Sequence, residues 1–168
     1  RKIDERGHFA RILDNEILEK KNLNYNFVQS SISFNNKKYT LRGMHYQTNP
    51  HEEEKLVRCS KGKIFDVIID IRKESKTFKK WISVELSEKN ARMIYIPKGM
   101  AHGFLTLEDN TEVIYQISQY YSLEHSKGIR WNDSEFSIKW PNEISILSKK
   151  DKNYADFNGN EFEKMEYK

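Results

Sequence analysis

The sequence predicts an all-β domain, an antiparallel sandwich or barrel with a few short helices at its periphery. Three observations carry that expectation. Between residues 63 and 121, at least five segments alternate apolar and polar side chains with the two-residue period of a strand. The connections between them are short and polar, and none has the helical period of a crossover, which argues against alternating βαβ units. Nine Phe, nine Tyr and three Trp supply rings large enough to fill a core.

The elements follow in order. Asp14 is placed to cap a short helix in which Ile17, Leu18 and Lys21 share a face. Residues 42 to 47 read as a strand, with Gly43, His45 and Gln47 on one side. From Lys63 to Arg72, Phe65, Val67, Ile69 and Ile71 alternate with Asp66, Asp70 and Arg72, the pattern of a strand with one dry face. Trp81 to Leu86, Arg92 to Ile96, Phe104 to Leu107 and Glu112 to Tyr121 read alike. They are separated by breaks at Glu74-Ser75-Lys76, Ser87-Glu88-Lys89-Asn90, Pro97-Lys98-Gly99 and Glu108-Asp109-Asn110. Ser148 is placed to cap a second short helix running through Asp151 and Tyr154. No repeat or linker interrupts the chain, so one domain is expected over residues 1–168, with the polar segment from about 142 packing on the barrel.

Composition narrows the function classes. Of 168 residues 32% are charged and 37% apolar, more polar than the usual soluble domain, but the aromatics argue against disorder. No apolar run approaches the roughly 18 to 20 residues of a membrane helix, so a soluble protein without a membrane partner is expected. Cys59 is a lone cysteine and has no internal disulfide partner, which makes the cytoplasm the default compartment. The net charge of +4 comes from basic residues interleaved with acidic ones, so no nucleic-acid partner is expected. The chain opens on Arg1 with neither initiator Met nor signal-peptide pattern, and a few native residues are expected before it.

Two histidine neighbourhoods carry the chemistry. The first is Leu41-Arg42-Gly43-Met44-His45-Tyr46-Gln47, with Glu52-Glu53-Glu54-Lys55-Leu56-Val57-Arg58 after it. The second is Pro97-Lys98-Gly99-Met100-Ala101-His102-Gly103-Phe104, in which a turn delivers a histidine to a strand. PxGxxH after an apolar strand is similar to the second histidine motif of cupin barrels. A metal-binding cupin would have histidines at i and i+2 in the first motif. Here the i+2 residue is Gln47, so no metal is expected. Arg42, Lys55, Arg58 and Tyr115 are candidates to line the same interior as His45 and His102.

With these motifs in this order, the chain resembles the dTDP-4-dehydrorhamnose 3,5-epimerase family. The match runs from Asp4-Glu5-Arg6-Gly7 through Phe27-Val28-Gln29, both histidine motifs, Phe65-Asp66-Val67, Tyr120-Tyr121 and Ile129-Arg130-Trp131-Asn132-Asp133 to Trp140-Pro141 and Leu147-Ser148-Lys149-Lys150-Asp151. The resemblance implies a cupin-type jelly-roll β-barrel with a few short peripheral helices, a homodimer, and no cofactor. It implies a substrate that is a nucleotide-diphosphate 4-keto sugar of surface-polysaccharide synthesis, epimerised at C3, C5 or both. A carbon beside a ketone loses its proton when a base waits on one face and cationic donors stabilise the enolate oxygen. By resemblance His45 is that base, Asp151 its acidic partner, Tyr115 the proton donor on the opposite face, and Lys55 the residue that steadies the oxyanion. Arg6, Arg42, Arg58, Gln29, Gln47, His102, Tyr121 and Trp131 match substrate-binding positions.

The nucleotide end departs from the family pattern. After Arg6-Gly7 the family has aromatic residues and then a glutamate that holds the thymine nucleotide; here His8, Phe9 and Ala10 lead to Arg11, and Ser31 stands where an asparagine is common. A donor-only guanidinium in place of an acceptor-only carboxylate inverts what the base edge meets. Phe9, Arg11 and Ser31 are therefore candidate nucleotide contacts. A GDP-linked 4-keto heptose is an alternative substrate to the dTDP sugar, and a non-catalytic sugar-nucleotide binding module is the alternative of another class.

Overall fold

The computed structural model describes residues 1–158. Twelve strands and two short helices occur among these residues: β1 (Lys2–Asp4), β2 (Gly7–Phe9), α1 (Asn15–Lys20), β3 (Gln29–Asn35), β4 (Thr40–Gln47), β5 (Lys55–Lys61), β6 (Lys63–Asp70), β7 (Trp81–Ser87), β8 (Met93–Ile96), β9 (Met100–Thr106), β10 (Thr111–Ile117), β11 (Ser126–Gly128), β12 (Ile146–Leu147) and α2 (Lys149–Lys152). A four-stranded sheet ordered β3-β10-β5-β8 faces a second sheet ordered β11-β4-β9-β6-β7. β12 adds to that second sheet in parallel with β4, through Ile146 opposite Thr40 and Leu147 opposite Leu41. The remaining pairings are antiparallel. This is the sandwich of a jelly roll, in which strands return to distant neighbours across long connections.

The five strands expected between 63 and 121 all form. The last is shorter than its pattern suggests: β10 ends at Ile117, and Ser118 turns the chain by bonding with Glu54 through both its backbone N–H and its hydroxyl. Asp14 caps α1, accepting from the Ile17 N–H. Leu18 is buried beneath the helix while Ile17 is exposed, so the expected shared face is only half used. Ser148 caps α2 by accepting from the Asp151 N–H, and the helix stops at Lys152, short of Tyr154.

β6 departs from its expected single dry face. It lies between β9 and β7, and both its faces are covered. Ile64 and Ile68 point between the sheets with Val57, Cys59, Leu86, Ile96, Phe104 and Val113. Val67, Ile69 and Ile71 point outward into a second cluster with Met44, Tyr46, Ala101, Ile129 and Phe136. The cover for that outer face comes from far along the chain: Trp140, Ile138 and Phe157 pack against it. Each fully buried aliphatic or aromatic side chain here contributes about 1.5–3 kcal/mol. Two packed layers on one central sheet thus fix the strands that carry the interior side chains.

Candidate active site

Between the sheets opens a cavity of about 720 Å³, a volume suited to a small-molecule ligand. The four-stranded sheet contributes Gln29 and Ser31 from β3, Lys55 from β5, and Tyr115 from β10. The register explains why these point the same way. Tyr115 lies opposite Ser31 on one side and Val57 on the other, and Lys55 is two residues from Val57 along its strand. From the other sheet come Arg42, His45 and Gln47 on β4 and His102 on β9, and α2 closes the rim with Asp151.

A bulge in β4 changes which of its residues face the cavity. Arg42 pairs with Phe104 and His45 with His102, so three steps on β4 span two on β9. The extra residue rotates the strand, and Arg42 joins His45 and Gln47 in the lining, which strict alternation would forbid. Gly43 permits this. Its φ is +132°, and a Cβ there would lie 2.5 Å from the Gly103 Cα.

The electrostatics divide into two histidine–carboxylate pairs. His45 Nε2 lies 2.7 Å from Asp151 Oδ1, with the imidazole 40% exposed to the cavity and the carboxylate only 6% exposed. Burial alone would raise the Asp151 carboxyl, but hydrogen bonding and charge from His45, the Gly43 N–H and Ser148 outweigh it and hold it below the usual carboxylate value. Deeper in, His102 Nε2 lies 2.8 Å from Asp66 Oδ2, both groups being buried. The His102 ring meets that of Tyr115 edge to face at 6.1 Å. Burial and then the Asp66 charge push the Tyr115 phenol well above its usual value, against the opposing pull of Arg42. The phenol is therefore a proton holder near neutral pH. Arg42 is aimed by Asn35, whose Oδ1 accepts from its Nε at 2.6 Å.

Of the residues singled out in the sequence, His45, His102, Lys55, Tyr115, Asp151, Arg42, Gln29, Ser31, Gln47 and Tyr121 line the cavity. Two of them are braces. Gln47 commits its amide to the carbonyls of His51 and Tyr120, to Glu53 and to the Ser122 N–H. Gln29 accepts from the Tyr121 N–H at 3.0 Å.

Five expected site residues are not brought to the cavity of their own chain. Arg58 lies one residue out of phase with Lys55 and Val57 and opposite Ile114, so it points to the far side of its sheet. Arg6 and Phe9 belong to the hairpin of β1 and β2, every residue of which is exposed, and Arg6 pairs with Asp4. Arg11 pairs with Asp14 at 2.9 Å, beside the cap of α1. The side chain of Arg11 is thus directed to α1 in its own chain. Trp131 sits in the turn after Ile129, its carbonyl accepting from Trp140 Nε1.

Four residues near the site escape sequence reasoning. In the sequence Asp66 is the polar phase of a strand and, like Lys150, part of a motif with no role attached, and Glu53 is one of three consecutive glutamates. Glu53 and Lys150 line the cavity. The fourth is Tyr154, whose ring stands edge-on to His45 at 6.0 Å and lies against Gly128, where a Cβ would come within 2.2 Å of it. Among the described residues, no group of three or more His, Cys, Asp or Glu side chains is placed to hold a metal ion, and no helix is long and apolar enough to cross a membrane.

A jelly roll whose cavity sets a histidine of one sheet, paired with an aspartate of α2, against a half-buried tyrosine of the other sheet defines a class, the sugar epimerases of cupin shape. A sequence model described as dTDP-4-dehydrorhamnose 3,5-epimerase matches residues 1–159. The chain is 42% identical over 165 residues to the dTDP-4-dehydrorhamnose 3,5-epimerase of Shigella flexneri, covering 98% of this chain and 88% of the relative. The crystal structure of the Bacillus anthracis epimerase with TDP and pyrophosphate bound superposes with a TM-score of 0.90 at 42% identity, covering 92% of this chain and 88% of that one. The Legionella pneumophila enzyme in complex with dTDP-4-keto-L-rhamnose gives 0.83 at 38% identity, covering 88% and 79%. The chain belongs to the dTDP-4-dehydrorhamnose 3,5-epimerase family, and its chemistry is that of an epimerase.

Proposed function

We propose that this chain epimerises a dTDP-linked 4-keto-6-deoxy sugar at C3 and C5, by proton removal on one face of the ring and return on the other. One observation carries the reading: His45 and Tyr115 stand on facing sheets across a single cavity. His45 removes the proton beside the ketone, and the Asp151 carboxylate orients the ring and stabilises the imidazolium that results. Lys55 and His102 meet the enolate oxygen from the walls. Tyr115, held protonated by its burial, returns a proton to the opposite face. Arg42 supplies a cation for the diphosphate.

The relatives' substrate supports dTDP as the nucleotide. The departures that suggest GDP are Arg11, which pairs with Asp14, and Ser31, which lines the cavity. A homodimer in the cytoplasm completes the reading. The hairpin of β1 and β2 exposes Ile3 and Phe9 at 79% and 67%, and these apolar residues, with Arg6 between them, suit a second copy of the chain. Arg6 and Phe9 would then serve the partner's cavity rather than their own.

The test is incubation with a dTDP-4-keto-6-deoxy sugar in deuterated water. Deuterium at C3 and C5 with inversion is expected from the wild type. His45→Ala should fold and incorporate none. Absence of exchange from the wild type would overturn the enzyme reading in favour of a binding module.

A further inference from the structure

The cavity holds one carboxylate that the proton-transfer scheme does not use. The three consecutive glutamates before β5 part ways in the structure: Glu54 takes the amide of Asn24, whereas Glu53 turns into the cavity. The Glu53 side chain is 12% exposed, and its Oε1 lies 2.7 Å from the Nζ of Lys55, itself 10% exposed. Its other oxygen accepts from Gln47 Nε2 at 3.0 Å. Gln47 in turn accepts from the Ser122 N–H at 2.7 Å and donates to the Tyr120 carbonyl at 3.2 Å. One carboxylate thus ties Lys55 to β4 and to the segment that carries Tyr121.

Two physical facts give this arrangement a purpose. An ammonium removed from water is tolerated only with a close counter-charge. A lysine also reaches its target on a flexible four-carbon stem, so its head must be fixed before it can act at one point. Glu53 does both, and it engages one of the three N–H donors of the ammonium, leaving two for an oxygen in the cavity. We propose that Glu53 is a positioning residue for epimerisation, holding the Lys55 ammonium where the enolate oxygen develops. The inference rests on the epimerase reading above. It also separates Glu53 from the glutamate run, which in the sequence looks like a solvated charge cluster.

A double-substitution cycle tests it, using wild type, Glu53→Gln, Lys55→Ala and the double variant. Each is assayed for kcat and KM of solvent deuterium incorporation, for dTDP binding by calorimetry, and for thermal unfolding. Glu53→Gln keeps the shape and loses the charge. It is expected to lower kcat by about 100-fold, the scale of a misplaced catalytic group, with KM and dTDP affinity unchanged. In the Lys55→Ala background the same substitution should cost nothing further, because groups acting as one unit are not additive. Should Glu53→Gln fail to fold, Glu53→Asp, which keeps the charge but withdraws it by one methylene, enters the same cycle with the same expectation. An unchanged kcat, or an equal loss with and without Lys55, would overturn the proposal. No exchange by the wild type would instead remove the epimerase reading beneath it.

Discussion

Asp151 follows His45 by 106 residues, yet its Oδ1 lies 2.7 Å from His45 Nε2. Two local devices make the meeting possible. β12 pairs in parallel with β4, and the Ser148 cap then turns α2 so that Asp151 faces back toward the strand. The Gly43 N–H, presented by the bulge, donates to the other carboxylate oxygen at 3.3 Å. Asp151→Asn preserves this shape and removes the charge that favours an imidazolium. It should lower kcat by about 10²–10⁴-fold, in line with the worth of an oriented general base, while KM stays near the wild-type value. Steady-state kinetics check this, and wild-type kcat in the variant would separate Asp151 from the proton transfer.

Tyr115→Phe removes one oxygen and keeps the ring that packs edge to face with His102. Abstraction at His45 does not need the phenol, so deuterium should still enter the substrate from solvent. Inversion should fall by about 10²–10⁴-fold, because the opposite face has lost its donor. Proton NMR of substrate and product in deuterated water measures both quantities. Full epimerisation by the variant would mean that another group returns the proton.

The legible part of this molecule is the part decided by short-range pattern. Strands such as β6 and β7 announce themselves by alternation, and Asp14 and Ser148 by capping chemistry. His45, His102, Lys55 and Tyr115 are accessible because of the motifs around them. What stays hidden depends on pairings between distant segments. The second dry face of β6, with Ile64 and Ile68, exists only because the other sheet lies over it with Val57, Cys59 and Val113. The phase of Arg42 depends on a bulge set by Gly43 against Gly103, where two glycines sixty positions apart must meet. Glu53 and Glu54 are chemically identical neighbours, and only the strand's geometry sends one to Lys55 and the other to Asn24.

Asp70 predicts how stability responds to acid. It is buried at the end of β6, a condition that by itself would raise its carboxyl. It nonetheless accepts from Arg72 Nε and Nη2 at 3.0 and 2.8 Å and from the hydroxyls of Ser75 and Thr77, and these bonds hold it far below its ordinary value of 3.8. Unfolded chains take up this proton near pH 3.8, whereas the native state resists, so the contribution is fully present above that pH and is lost as pH falls further. Asp70→Asn should cost about 2 kcal/mol at pH 7, the value of hydrogen bonds to a buried charge. The gap between wild type and variant should narrow steadily below pH 3.8. Urea unfolding from pH 7 down to about pH 2.5 reads the gap directly, and a gap that widens in acid would contradict the assignment.

Gly43 should be among the least replaceable residues for stability. A methyl at this position would meet the Gly103 Cα at 2.5 Å and the His102 carbonyl oxygen at 3.0 Å, both backbone atoms of the neighbouring strand. Neither can swing aside as a side-chain tip could. The φ of +132° adds a penalty that any L side chain would feel. Gly43→Ala should therefore destabilise the fold by about 3 kcal/mol through overpacking, and urea unfolding measures it. The same substitution should disturb the site, because the shift needed to relieve the clash separates β4 from β9, the two strands that carry His45 and His102. Gly7→Ala is the control: its φ is also positive, at +125°, but among the described residues of its own chain nothing lies within 4 Å of the point a methyl would occupy. It should show the conformational penalty without the clash, at about 1 kcal/mol. Equal destabilisation of the two variants would mean that backbone conformation, and not the contact between the two strands, makes glycine necessary at the bulge.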